Sequence, residues 1–97
     1  MKIYDIIWLE EVEDKIIRKH SVQPVEAEEV LLSTPHLRFM ERGHRTDEDL
    51  YAAFGQTESG RYLAVYFILK EAHTALIVTV RGMTHQEVKR YGRKKSR

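Results

Sequence analysis

"RYLAVYFILKEAHTALIVTVR", Arg61 to Arg81, is the stretch that decides the fold. Two runs rich in Val, Ile, Tyr and Phe, Arg61–Leu69 and Ala75–Val80, flank a short polar break, which predicts two antiparallel strands. The first run is apolar on both faces, as a central strand must be. An arginine stands at the open end of each. If the connecting loop has an odd number of residues centred on Glu71, Arg61 stands directly opposite Arg81 on one face; an even loop sends the two to opposite faces. Like charges facing each other destabilise a ladder, so the odd register implies an anion between them, an acidic side chain or a ligand phosphate. The guanidinium fork, charged at all relevant pH, suits phosphate.

Outward from this hairpin, Ser59-Gly60 is a turn and Leu50–Gln56 the preceding strand. His36–Glu41 sets Leu37 and Phe39 against Arg38 and Met40, a strand with one wet face, followed by a polar loop from Arg42 to Asp47. Two helices precede it. Glu10–His20 carries acids in its first turns and Arg18, Lys19 and His20 in its last, the order the helix dipole favours; the next begins at Pro24 and ends before Thr34-Pro35. Lys2–Leu9 reads as an opening strand. Beyond Arg81, Thr84-His85-Gln86-Glu87 matches a capping box, and Val88 and Tyr91 lie three apart on the helix that follows. From about Gly92 a basic tail is expected to fray. The expected architecture is α+β: a mainly antiparallel sheet, two N-terminal helices and one C-terminal helix, forming a single domain over residues 1–97.

Composition narrows the function. With no cysteine among 97 residues, disulfides, thiolate nucleophiles and Cys-based zinc sites are excluded. The five histidines lack metal-type spacing, so no metal and no cofactor is expected. Leu63–Leu69, the longest apolar run, is far short of the roughly 20 residues of a membrane helix; a cytoplasmic protein without a membrane partner is expected. The net charge of +1 conceals a division. Residues 1–59 hold 7 Lys and Arg against 13 Asp and Glu, a balance of −6, whereas residues 60–97 hold 9 against 2, a balance of +7. An anionic partner near the C-terminal elements follows.

Three segments, in order, carry a resemblance: "RKHSVQPVEAEEVL" (Arg18–Leu31), "GRYLAVYF" (Gly60–Phe67) and "VTVRGMTHQEVKRY" (Val78–Tyr91). They are similar to the Lys-His-Gly-Val with its acidic helix, the Gly-Arg strand, and the strand-ending Arg before a Glu-x-x-x-Tyr helix of the BrnT toxins. That family, from bacterial type II toxin–antitoxin modules, has a RelE-like ribonuclease fold. The resemblance implies a metal-independent endoribonuclease that acts on mRNA to inhibit translation. It also implies a ribbon-helix-helix, BrnA-like antitoxin that holds the toxin inactive. Carried over by position, the candidate catalytic residues are Arg61, Arg81 and Tyr91, with His20 and Glu87. Two departures stand out. Ser21 occupies the usual glycine position, and Leu50 stands where family members commonly have an arginine.

Cleavage of this type uses the ribose 2′-hydroxyl as nucleophile. It needs a group to take that proton, cations for the charge growing on phosphorus, and an acid for the leaving oxygen. Arg61 and Arg81 suit the second role; Tyr91 could orient the phosphate or stack a base; Lys89, Arg90, Arg93, Lys94 and Lys95 suit the RNA backbone. Each has a structural alternative: Tyr91 as packing for the last helix, Glu87 as capping-box partner of Thr84, His20 as a helix C-terminal cation, the tail as a solvated end. Trp8, Tyr62 and Tyr66 are most simply core. The competing functional reading is a catalytically impaired RelE-fold module that binds RNA or a protein. An apolar opening strand also leaves a homodimer open.

Overall fold

The computed structural model describes residues 2–45 and 48–95, with side chains to Arg93. Chain order is β1 (Asp5–Ile7), α1 (Glu10–His20), α2 (Pro24–Leu32), β2 (His36–Glu41), β3 (Leu50–Gln56), β4 (Tyr62–Lys70), β5 (Thr74–Gly82) and α3 (His85–Lys95). The strands form one sheet in the order β1-β5-β4-β3-β2; β1 runs parallel to β5 and the other neighbours are antiparallel. The α+β architecture read from the sequence is therefore the one observed, with β1 confined to three residues.

Hydrophobic burial divides between the two faces of the sheet. α1 and α2 cover one: Ile16, Ala27, Val30 and Leu31 pack on Ala53, Leu63, Val65, Phe67, Ile77 and Val80. Trp8 ties the start of this layer to α2 by donating its indole N–H to Glu28 Oε2 at 2.9 Å. At Gly55 a Cβ would lie 3.0 Å from Val30 Cγ1, so the missing side chain lets α2 sit close on β3. α3 crosses the other face over a smaller cluster of Ala52, Phe54 and Ala64, joined by Tyr66, Met83 and Tyr91.

The helix ends explain their own positions. α1 stops where Ser21 enters the left-handed region (φ 53°), its N–H and that of Val22 returning to the carbonyls of Ile17 and Ile16. α2 opens with a capping box in which the Gln23 backbone N–H donates to Glu26 Oε1 at 2.9 Å. α3 opens with the predicted box: Thr84 N–H donates to Glu87 Oε1 (2.9 Å) and Glu87 N–H to Thr84 Oγ1 (3.2 Å). Contrary to the expected fraying at Gly92, α3 continues to Lys95. Arg93, Lys94 and Lys95 are good helix formers and their charge complements the C-terminal dipole.

The register of β4 on β5 overturns the facing-arginine expectation. The loop is odd, Glu71 to His73, but centred on Ala72, and Lys70 pairs with Thr74. The ladder then slips. Phe67 pairs with Ile77 but Tyr66 with Thr79, which leaves Val78 as an extra residue in a β-bulge. Because side chains alternate with a period of two, one inserted residue exchanges the faces of all that follow. Ile77 and Val80 thus share the α1/α2 face, and Arg81 pairs with Ala64 on the α3 side. Arg61 lies outside the ladder, in a turn where its N–H donates to Thr57 Oγ1 and its carbonyl accepts from Thr57 N–H.

Candidate functional site

Both arginines are held by the protein's own carboxylates, one on each side of the sheet. Arg61 Nη1 donates to Glu26 Oε1 at 2.9 Å and to the Ser21 carbonyl at 2.9 Å, fastening the α1–α2 junction. Arg81 forms a two-pronged pair with Glu87, Nη1 to Oε1 at 2.7 Å and Nη2 to Oε2 at 2.9 Å. It also donates to Tyr66 OH at 2.7 Å and lies 5.3 Å from the centre of that ring. In each case the carboxylate is the capping-box glutamate of the helix on that face. Both cations do stand at the open end of the hairpin, as the sequence implies, but each closes the first turn of a different helix.

The Arg81 network is the more insulated of the two. Its paired side chains are 30 % and 18 % exposed, against 40 % and 18 % for Arg61 and Glu26. The hydrogen bonds from Arg81, helped by those from Thr84, hold the Glu87 carboxyl down at about 2, well below the ordinary carboxylate range. The same pair drives the Arg81 pKa upward. Glu87 is therefore ionised near neutrality and a poor proton acceptor there. It orients Arg81.

Cross-strand register assembles the rest of this face. One row reads His36, Phe54, Ala64, Arg81 and the next Arg38, Ala52, Tyr66, Thr79. From above, α3 adds Glu87, Arg90 and Tyr91. His36, Arg38, Phe54, Glu87, Arg90 and Tyr91 together line a shallow pocket at the β2 side. Tyr91 packs edge-on to Tyr62, ring centres 6.1 Å apart, and against the Ala52–Phe54–Ala64 cluster. The arrangement offers guanidinium donors, an imidazole and phenols around a small apolar floor, groups suited to holding a phosphodiester and moving protons.

Of the candidates named from sequence, Arg81, Glu87 and Tyr91 gather here, with Arg90 on the same helix. His20 and Arg61 do not; they belong to the α1/α2 layer across the sheet. Lys89 and Arg93 are exposed on α3. The side chains of Lys94 and Lys95 lie outside the described residues. Sequence reasoning misses Tyr66, His36 and Arg38. Tyr66 reads as core because the unbulged register turns it away from Arg81. For Arg38 a signal exists, since the alternation of β2 puts it on the wet face. Among the described residues no three His, Asp or Glu side chains cluster as metal ligands would.

The profile of the ribonuclease toxin BrnT of type II toxin–antitoxin systems matches residues 8–87, most of the chain, from just before α1 to the first turn of α3. The chain belongs to the BrnT family. BrnT proteins are ribonuclease toxins of type II modules, so the chain is the toxin half of a pair that includes an antitoxin. The fold agrees with the 1.1 Å crystal structure of the Brucella abortus ribonuclease toxin BrnT: TM-score 0.60 at 19 % identity, covering 84 % of this chain and 97 % of that one. No curated protein matches the sequence. In this BrnT chain, Leu50 alternates with Ala52 and Phe54 onto the α3 face, at the end of β3 away from Phe54 and Arg81.

Proposed function

We propose that this BrnT chain is a metal-independent endoribonuclease that cleaves mRNA and so inhibits translation, using the α3 face of the sheet. The observation that carries this reading is the Arg81–Glu87–Tyr66 network within a ribonuclease toxin family. It presents a rigid, permanently charged guanidinium beside phenols, where negative charge develops during 2′-hydroxyl attack. Arg81 stabilises the phosphorane-like charge, Glu87 and Tyr66 position it, the 2′-hydroxyl proton passes to solvent water, and Tyr91 orients the strand or donates the leaving-group proton. The cytoplasm is the compartment in which such chemistry meets mRNA, and a ribbon-helix-helix, BrnA-like antitoxin is the partner this reading expects. A homodimer through the exposed sheet edges is compatible with it.

Purified protein incubated with mRNA in excess EDTA should give fragments ending in 2′,3′-cyclic phosphate. Arg81→Ala should slow cleavage roughly 100- to 1,000-fold. An inert wild type, or an Arg81→Ala variant that cuts at full rate, would sink the proposal. The second reading, a non-cleaving RNA- or protein-binding module, is favoured by one observation, Leu50 on the site face; harmless expression in cells together with retained RNA binding would establish it.

A further inference from the structure

We infer that the pocket between β2 and α3 is a second anion subsite, built by Arg38 and Arg90, which holds a phosphate of single-stranded RNA flanking the linkage that Arg81 faces. The inference rests on the reading of the α3 face as the RNA surface, and adds to it a subsite and a strand direction.

Three observations carry it. First, Arg38 and Arg90 come from different elements, line the same pocket and are exposed, yet no carboxylate among the described residues pairs with either. The one acid in the lining, Glu87, is already engaged by both prongs of Arg81 and by Thr84 N–H. Among the described residues the two guanidiniums that line this pocket therefore lack an internal anion, in contrast to Arg61 and Arg81. Second, the pocket is walled by Phe54 and Tyr91, with His36 at its edge. Guanidinium next to aromatic surface is the combination that single-stranded nucleic acid selects, phosphate on the one and base against the other, whereas an acidic peptide would need only the charges.

Third, the sheet sets the distance. Arg38 and Arg81 stand on β2 and β5, three strand spacings apart, on the order of 14 Å between backbones. Two side chains so separated do not close on a single phosphate. A strand engaging both must run beside α3, past β4 and β3, from Arg81 to the β2 edge.

The test uses full-length protein and a short single-stranded RNA with every 2′-hydroxyl methylated, so that binding is read without cleavage. Fluorescence anisotropy is measured across a salt series for wild type, Arg38→Gln, Arg90→Gln and the double variant. Unchanged far-UV circular dichroism and melting temperature are expected, because both side chains are exposed. The double variant should bind about 10-fold more weakly at low salt, with its log K against log salt slope shallower by about 0.7, the value for one phosphate left unneutralised. Equal affinity and slope in wild type and double variant overturn the inference, and so does a loss confined to binding of an acidic protein partner. Cleavage of unmodified RNA is scored separately. An active wild type whose double variant keeps its KM refutes the subsite and leaves the ribonuclease standing; an inert wild type that shows the binding loss refutes the ribonuclease and leaves the subsite.

Discussion

At the residue scale the geometry of the α3 face depends on Glu87 as much as on Arg81. Glu87 closes the first turn of α3, fixes both prongs of Arg81, and is held at about 2 while doing so. Its folded-state pKa lies below the ordinary 4.5, so its stabilisation is fully present above pH 4.5 and is lost as pH falls toward 2. Glu87→Gln should lower stability by about 1–2 kcal/mol at pH 7 and flatten the decline between pH 4.5 and 2, read by urea denaturation at each pH. Arg61 gives the opposite expectation. Its pair with Glu26 is part-exposed and across the sheet from Arg81, so Arg61→Ala should cost about 0–1 kcal/mol of stability and leave RNA cleavage within a few-fold of wild type. A cleavage loss comparable to that of Arg81→Ala would contradict the separation of the two layers.

At the element scale, two turns are held in the left-handed region by residues that bear a Cβ. Ser21 ends α1 at φ 53°, and Ala72 sits at φ 70° in the β4–β5 loop. Left-handed backbone costs an L-residue on the order of 1 kcal/mol, partly offset in glycine by a larger loss of chain freedom. Ser21→Gly and Ala72→Gly should each raise stability by up to about 1 kcal/mol, measured as a shift of the urea midpoint. Much at this scale is legible in the sequence. The charge gradient of Glu10–His20, Pro24 at a first turn, and Thr84 three before Glu87 each name a helix end by a local mechanism. The bulge at Val78 is not, because "LIVTV" is apolar or β-branched at every position and offers no alternation by which one extra residue could be noticed. That one unread residue conceals the true neighbours of Arg81, and with them Tyr66.

Across the whole molecule, charge and layer coincide. The acidic N-terminal portion supplies α1 and α2 on one side of the sheet, and the basic C-terminal portion supplies α3 on the other. RNA affinity should therefore fall steeply with salt, and charge reversal on α3, at Lys89 or Arg93, should weaken it far more than reversal at Glu10 or Glu11 strengthens it; filter binding between about 50 and 200 mM salt measures both. The family can be recognised in the sequence because it resides in the order of segments, which the fold preserves. The site can be recognised only in part, because its members meet through the register of four strands.

Val78 itself is partly in solvent and has no partner across the ladder. Its removal should leave every pairing of the ladder in place, because Ile77 and Thr79 already face the consecutive residues Phe67 and Tyr66. With Ile77 followed directly by Thr79 the ladder alternates plainly, with Val80 still on the α1/α2 face and Arg81 still on the α3 face. In this small protein the spare residue lets a strand one position too long deliver both of its ends to the correct layers, so loss of Val78 should be far more forgiving than loss of a paired residue of β4, where no slack exists.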